Sequence, residues 1–254
     1  MNHEELAVGF KKLNLPNMRL QYVELAKIAE KEKLTYEQYL SKLVVTELNG
    51  RHTQRVKRLI QEAKIPLPKT VENFNFGLGI GITEKQFKRL CQGDFLKEAA
   101  NIVFFGDFGV GKSHLAMALI QKLCGQGFRC TFTSVHTLIA ELLKAKQDLT
   151  LTSFFKKLDR FDLICCDELG YTAHDQEGAD LFFQLISQRA ERKSILITTN
   201  LTYSEWDKVF INPLSTTAAV DRIIHNCETF NITGPSGRKL AAEKRRADLT
   251  QQQN

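Results

Sequence analysis

The octapeptide Gly106-Asp-Phe-Gly-Val-Gly-Lys-Ser113 constrains this chain more than any other stretch. It matches the pattern G-x-x-x-x-G-K-[ST] in the context that pattern needs, an apolar strand-like run Ile102 to Phe105 before it and a helical run His114 to Leu123 after it. Gly106, Gly109 and Gly111 let successive backbone N–H groups turn inward around phosphate oxygens, and a helix N-terminus adds partial positive charge. Lys112 is expected to reach the β and γ phosphates of ATP, and Ser113 to offer its hydroxyl to Mg²⁺. Asp107, Phe108, Val110 and His114 complete the expected nucleotide-binding stretch.

A second motif supports the first. Phe161-Asp-Leu-Ile-Cys-Cys-Asp167-Glu168 is an apolar run ending in two carboxylates, the pair a P-loop ATPase needs beside its phosphates. Asp167 is expected to hold the Mg²⁺ shell and Glu168 to polarise the attacking water. The next apolar run, Ser194-Ile-Leu-Ile-Thr-Thr-Asn200, ends in an asparagine that either starts a turn before Leu201 or aims its amide at the γ-phosphate. Spacing alone does not separate the two.

Between residues 70 and 240 short apolar strands alternate with amphipathic helices, with strands expected at Ile102 to Phe105, Phe128 to Ser134, Leu163 to Cys166, Ile195 to Thr198 and Thr229 to Ile232. That rhythm predicts an α/β P-loop fold, a mostly parallel sheet flanked by helices. Two helical stretches, Thr137 to Lys146 and Leu151 to Leu158, fall between the second and third strands where a minimal crossover needs one. Residues 1–69 instead repeat apolar residues at helical spacing and predict a small all-α domain. Ile65-Pro-Leu-Pro68 sets its end, because proline lacks an amide donor and disfavours helical geometry in its predecessor. Residues 241–254, charged and Gln-rich, are expected to fray.

The net charge of +6 is mild, so where the positive charge sits matters more than its total. Arg51, Arg55, Lys57, Arg58 and Lys64 are opposed locally only by Glu62, and Lys144 and Lys146 flank the first extra helix. Arg51, Arg55, Arg58, Lys144 and Lys146 are the candidate contacts to double-stranded DNA, held largely without regard to sequence. The six cysteines show neither C-x-x-C spacing nor paired histidines at ligand distance, so zinc is not expected. With no signal-like start and no apolar run of about 18 residues, a cytoplasmic location and no membrane partner are expected.

Over residues 74–240 the chain resembles the IstB-like ATP-binding helpers of transposition, relatives of DnaC-type helicase loaders and DnaA-type initiators within the AAA+ class. The resemblance rests on GDFGVGKSHLA from Gly106, DLICCDELGY from Asp162, TTNLTYSEW from Thr198 and DRIIH from Asp221. Leu15-Pro-Asn-Met18 extends it more loosely to the N-terminal region. It implies that Asn200 is a sensor-1 residue and that Arg222 is an arginine finger offered to a neighbouring subunit. It also implies that the extra helices are the insertion that shapes a spiral assembly and approaches DNA. Two features depart from the family: Gly106-Asp-Phe-Gly109 stands where Gly-Pro-Pro-Gly is usual, and Gly234-Pro-Ser-Gly-Arg238 lacks the tyrosine of Gly-x-Ser-Tyr-Arg. Arg238 is thus either a sensor-2-like nucleotide contact or a surface charge.

The function expected from this resemblance is an Mg²⁺-dependent ATPase that self-assembles with ATP into a ring or spiral on DNA and assists a partner transposase. Two alternatives stand beside it, a DnaC-like replicative helicase loader and a DNA-binding scaffold in which ATP is a structural ligand. Glu168 argues against the scaffold, since holding ATP does not require a water-polarising carboxylate.

Overall fold

The computed structural model describes residues 2–67, 69–77, 81–171, 175–210 and 213–237. The chain divides into two compact units, Met1–Arg58 and Leu59–Asn254.

The first unit is helical: α1 (His3–Lys12), α2 (Pro16–Glu32) and α3 (Tyr36–Glu62) up to Arg58. Asn2 and Glu5 form a capping box that starts α1, and Lys33 in the left-handed conformation ends α2. Pro16 occupies the first turn of α2, where its missing N–H costs nothing. Leu15 offers that helix no side-chain cap. The cap comes from α3 instead: the Glu47 carboxylate accepts from the amides of Asn17 (2.9 Å) and Met18 (3.0 Å). Burial opposes the charged form of Glu47, but Arg51 and the two amides outweigh it and hold the carboxyl below its ordinary range. Met18, Tyr22 and Leu43 make the small core.

α3 runs on past Arg58, and Leu59 and Ala63 belong to the core of the second unit. The division therefore lies inside a helix, ahead of the Pro66–Pro68 boundary expected from the sequence. Prolines mark where a helix must stop; a domain ends where the contacts change, and here they change earlier. Pro68 itself lies outside the described residues.

The second unit continues with α4 (Glu84–Leu90), α5 (Asp94–Lys97), β1 (Asn101–Phe105), α6 (Lys112–Gly125), β2 (Cys130–Ser134), α7 (Val135–Gln147) and α8 (Leu151–Leu158). It ends with β3 (Leu163–Leu169), α9 (Gln176–Arg189), β4 (Ser194–Thr199), α10 (Asp207–Phe210), α11 (Pro213–Ile224) and β5 (Cys227–Asn231). All four strand pairings are parallel, in the order β2-β3-β4-β1-β5. Alternate residues of each central strand feed two cores. Ile102, Phe104, Leu163, Cys165 and Leu196 join α6 on one face; Val103, Ile164, Cys166, Ile195 and Ile197 join α7, α9 and α11 on the other. Burial on both faces is why these strands read as unbroken apolar runs. The two helical stretches before the third strand are both present, as α7 and α8. The chain leaves β1, skips two strand positions to β2 and returns through β3 and β4, which opens a crevice at the carboxyl ends of β1 and β4.

Candidate functional site

Three strand ends meet at that crevice. β1 feeds the loop from Gly106 to Gly111, whose glycines all have positive φ, 144°, 79° and 105° at Gly106, Gly109 and Gly111. Gly106 is also required by close approach, since a Cβ there would lie 2.0 Å from the Ile232 carbonyl oxygen. The chain beyond β5 runs beside the loop, tied to it by Ile232 N–H to the Phe105 carbonyl (2.7 Å) and Gly237 N–H to the Gly109 carbonyl (3.0 Å).

Lys112 opens α6, is buried, and folds back to donate to the carbonyls of Gly106 (2.7 Å) and Asp107 (2.8 Å). Its ammonium thus sits over the loop that is to receive phosphate. Asp107 is exposed, and its carbonyl is the group that serves Lys112. Phe108 is exposed with its ring edge-on to Tyr171, whereas Val110 packs into the core. The imidazole of His114, an expected nucleotide contact, has its Nε2 3.0 Å from the Thr70 carbonyl and its ring against Phe74. The imidazole fastens the segment before α4 to the phosphate helix.

β3 brings the acidic pair. Asp167 is buried and accepts from Ser113 Oγ (2.8 Å) and from the Thr198 hydroxyl. Glu168 is exposed at φ 63°, left-handed for a residue bearing a Cβ. The strand extends through both acids to Leu169, beyond the expected end at Cys166. Asn200 follows β4, and its Oδ1 is buried with no hydrogen-bond partner among the described residues. A buried amide oxygen left open costs stability unless something supplies a donor, and a water or a hydroxyl is a suitable one.

The residues fit the expected ligands. Glycine-shaped backbone, Lys112 and the N-terminus of α6 suit a polyphosphate, and Ser113 with Asp167 presents a hard oxygen pair of the kind Mg²⁺ accepts. Cys165 and Cys166, beneath Asp167, are fully buried; burial drives both thiols upward, Cys166 to about 12, so they stay neutral and inert.

The remaining candidates are scattered. Arg222 is exposed on α11, bonded to the Ala218 carbonyl (3.1 Å) and lying over the Phe183 ring (5.3 Å). The neighbouring Ile223 carbonyl accepts from Asn101, the first residue of β1. The carboxyl end of α11, with Arg222, therefore lies near the first residue of β1, and the five residue steps from Asn101 to Gly106 span about 16 Å at the rise of a β-strand. Arg51, an expected DNA contact, holds Glu47 (2.8 Å) and the Asn14 carbonyl inside the first unit, with its side chain still about half exposed. Arg55, Arg58 and Lys144 are exposed, and Lys146 pairs with Glu177 (2.6 Å). Arg238 and residues 241–254 lie outside the described residues.

Two contributors left no mark that pattern reading finds. Thr198 and Phe74 act across long sequence separation, Thr198 on the acidic pair and Phe74 against His114 and Gly111.

The profile of the family described as IstB-like ATP binding protein matches residues 8–246. An insertion sequence ATP-binding protein of Sinorhizobium fredii is 37% identical over 243 residues, 95% of this chain and 82% of the relative. The insertion sequence IS21 ATP-binding protein of Pseudomonas aeruginosa is 35% identical over 245 residues, 96% and 92% of the two chains. Among solved structures, the DnaC helicase loader superposes with TM-score 0.53 at 23% identity, over 59% of this chain and 87% of that one. AMPPCP-bound DnaA from Aquifex aeolicus gives 0.54 at 19%, over 70% and 54%. At these identities the structural likeness speaks for the AAA+ P-loop fold alone.

Proposed function

Because this chain belongs to the IstB-like ATP-binding protein family, we propose that it is an ATP-hydrolysing AAA+ protein that self-assembles on duplex DNA and assists a partner transposase. The observation that supports the chemistry is the Ser113 hydroxyl on Asp167 Oδ1, with Lys112 folded over the same glycine loop and Glu168 and Asn200 at the ends of the adjoining strands β3 and β4. The DNA and transposase rest on kinship, since the relatives at 35–37% identity carry insertion-sequence names. Likeness to the helicase loader is at the level of fold and gives that alternative no comparable support.

In this reading the backbone amides from Gly106 to Ser113 receive the phosphates and Lys112 leaves its carbonyl partners for phosphate oxygens. Mg²⁺, when bound at Ser113 and Asp167, would neutralise charge on the β and γ phosphates. Glu168, exposed beside that pair, takes a proton from the attacking water, while Asn200 Oδ1 accepts the water's other hydrogen and fixes its position. Arg55, Arg58 and Lys144 supply charge for the DNA backbone.

Assembly on a random-sequence duplex, followed by light scattering alongside phosphate release, tests this. Wild type should assemble with ATP and release phosphate. Lys112→Ala should do neither, because the charge fixed at the phosphates is gone. Glu168→Gln should assemble yet hydrolyse at least about 100-fold more slowly. Full phosphate release by either variant would discard the site.

A further inference from the structure

β3 and β4 pair in register from Leu163 opposite Ser194 to Cys166 opposite Ile197, and again at Leu169 opposite Thr199. Between those points Asp167 and Glu168 of β3 face only Thr198 of β4. Two residues against one is a bulge, an uncommon device in a parallel pair and one found beside active sites because it re-aims a side chain. The bulge removes the Glu168 amide from the ladder, and the Thr198 hydroxyl replaces the lost acceptor at 3.0 Å. The same hydroxyl donates its proton to Asp167 Oδ1, the atom that also accepts from Ser113. Thr198 is fully buried.

A threonine hydroxyl has one proton and two lone pairs. Here the proton goes to one acid and a lone pair to the backbone of the other, so a single atom joins the two carboxylate residues that the proposed reaction needs in fixed relation. We infer that Thr198 is a positioning residue for ATP hydrolysis, its hydroxyl locking the bulge that turns Glu168 outward while Asp167 stays on Ser113. Without it the Glu168 amide loses its acceptor within the fold, and the left-handed φ at Glu168 loses the bond that stabilises it. The neighbouring Thr199 does a different job, donating to the Leu169 carbonyl and accepting from Leu201 N–H, which closes the bulge and starts the turn carrying Asn200.

The inference rests on the reading of Glu168 as the water-polarising group, and the experiment keeps the two apart. Thr198→Val retains the shape and removes the hydroxyl; Thr198→Ser retains the hydroxyl. Each variant of the full chain is assayed for binding of a fluorescent ATP analogue with Mg²⁺, and for kcat with DNA present. Thr198→Val should bind nucleotide within about threefold of wild type while kcat falls about 10- to 100-fold, a part of the roughly 10²- to 10⁴-fold that proton-transfer catalysis supplies. Thr198→Ser should recover most of kcat. In a Glu168→Gln background Thr198→Val should cause little further loss, because it acts through a group already disabled. Should Thr198→Val fail to fold, Thr198→Cys, similar in size with much weaker hydrogen bonds, takes its place in the same comparison. Wild-type kcat in Thr198→Val, losses that multiply in the double variant, or no recovery with serine would each overturn the inference. Wild-type kcat in Glu168→Gln would instead overturn the role of Glu168.

Discussion

At the scale of single residues, Arg189 shows how a charge can be buried for architecture alone. It ends α9 at 1% exposure and donates to the carbonyls of Leu158 (3.1 Å), Phe161 (3.0 Å) and Ser194 (3.0 Å). One guanidinium thereby pins the end of α8, the approach to β3 and the start of β4, the two strands whose far ends carry Asp167 and Asn200. Burial pushes its pKa down to about 10, which leaves it charged at neutral pH. Arg189→Met keeps most of the volume and strands the carbonyls it holds, that of Asp162 (3.4 Å) among them. It should lower unfolding free energy by about 2–4 kcal/mol, read from the denaturant midpoint, while ATP affinity measured below the transition stays within a few-fold. A sequence cannot separate this arginine from the exposed Arg192 three positions on. The difference lies in carbonyls contributed from residues 158, 161 and 194, which only folding brings together.

At the scale of elements, α2 is completed by a residue it does not contain. Glu47 supplies the cap that Leu15 lacks, and Arg51 is held to Glu47 as a consequence. Glu47→Gln should therefore loosen the first unit by about 1 kcal/mol at neutral pH, the scale of a helix cap and its charge–dipole interaction. The sign with pH follows from the direction of the shift. The folded carboxyl lies below its unfolded value, so its stabilisation is fully present above the ordinary glutamate pKa of about 4.3 and is lost as pH falls through the folded value. Thermal melts of wild type and Glu47→Gln should differ at pH 7 and converge under acid. Equal separation at every pH would mean that the carboxylate's charge contributes nothing. This capping was not legible because it depends on α3 returning alongside α2. The strands were legible as short unbroken apolar runs and the α7–α8 pair by its helical periodicity, because each pattern is local.

At the scale of the whole molecule, Arg222 and the phosphate cradle stand at opposite ends of β1. Arg222 cannot serve its own nucleotide, so a finger role needs a second subunit whose cradle faces it. Mixing tests this directly: Lys112→Ala subunits offer a finger without a working site, and Arg222→Ala subunits a site without a finger. The mixture should hydrolyse ATP faster than either variant alone, since a finger of this kind contributes about 10³ to 10⁵ in rate. If Arg222→Ala by itself keeps wild-type hydrolysis and ATP-dependent assembly, its stacking on Phe183 and its bond to Ala218 are all that the residue does.

The sequence by itself determined the phosphate loop, the acidic pair and the sheet that carries them, because each is a short-range pattern: glycines that permit an inward turn, an apolar run ending in two carboxylates, strands alternating with helices. The tertiary structure decided what joins those parts. It set the bulge that turns Glu168 outward, the hydroxyl of Thr198 between the two acids, the partners that Arg51 and His114 find within the fold, and a unit division inside α3 ahead of the prolines. Each of these is a bond or contact between residues far apart in the chain, and no spacing rule encodes such a meeting before the chain has folded.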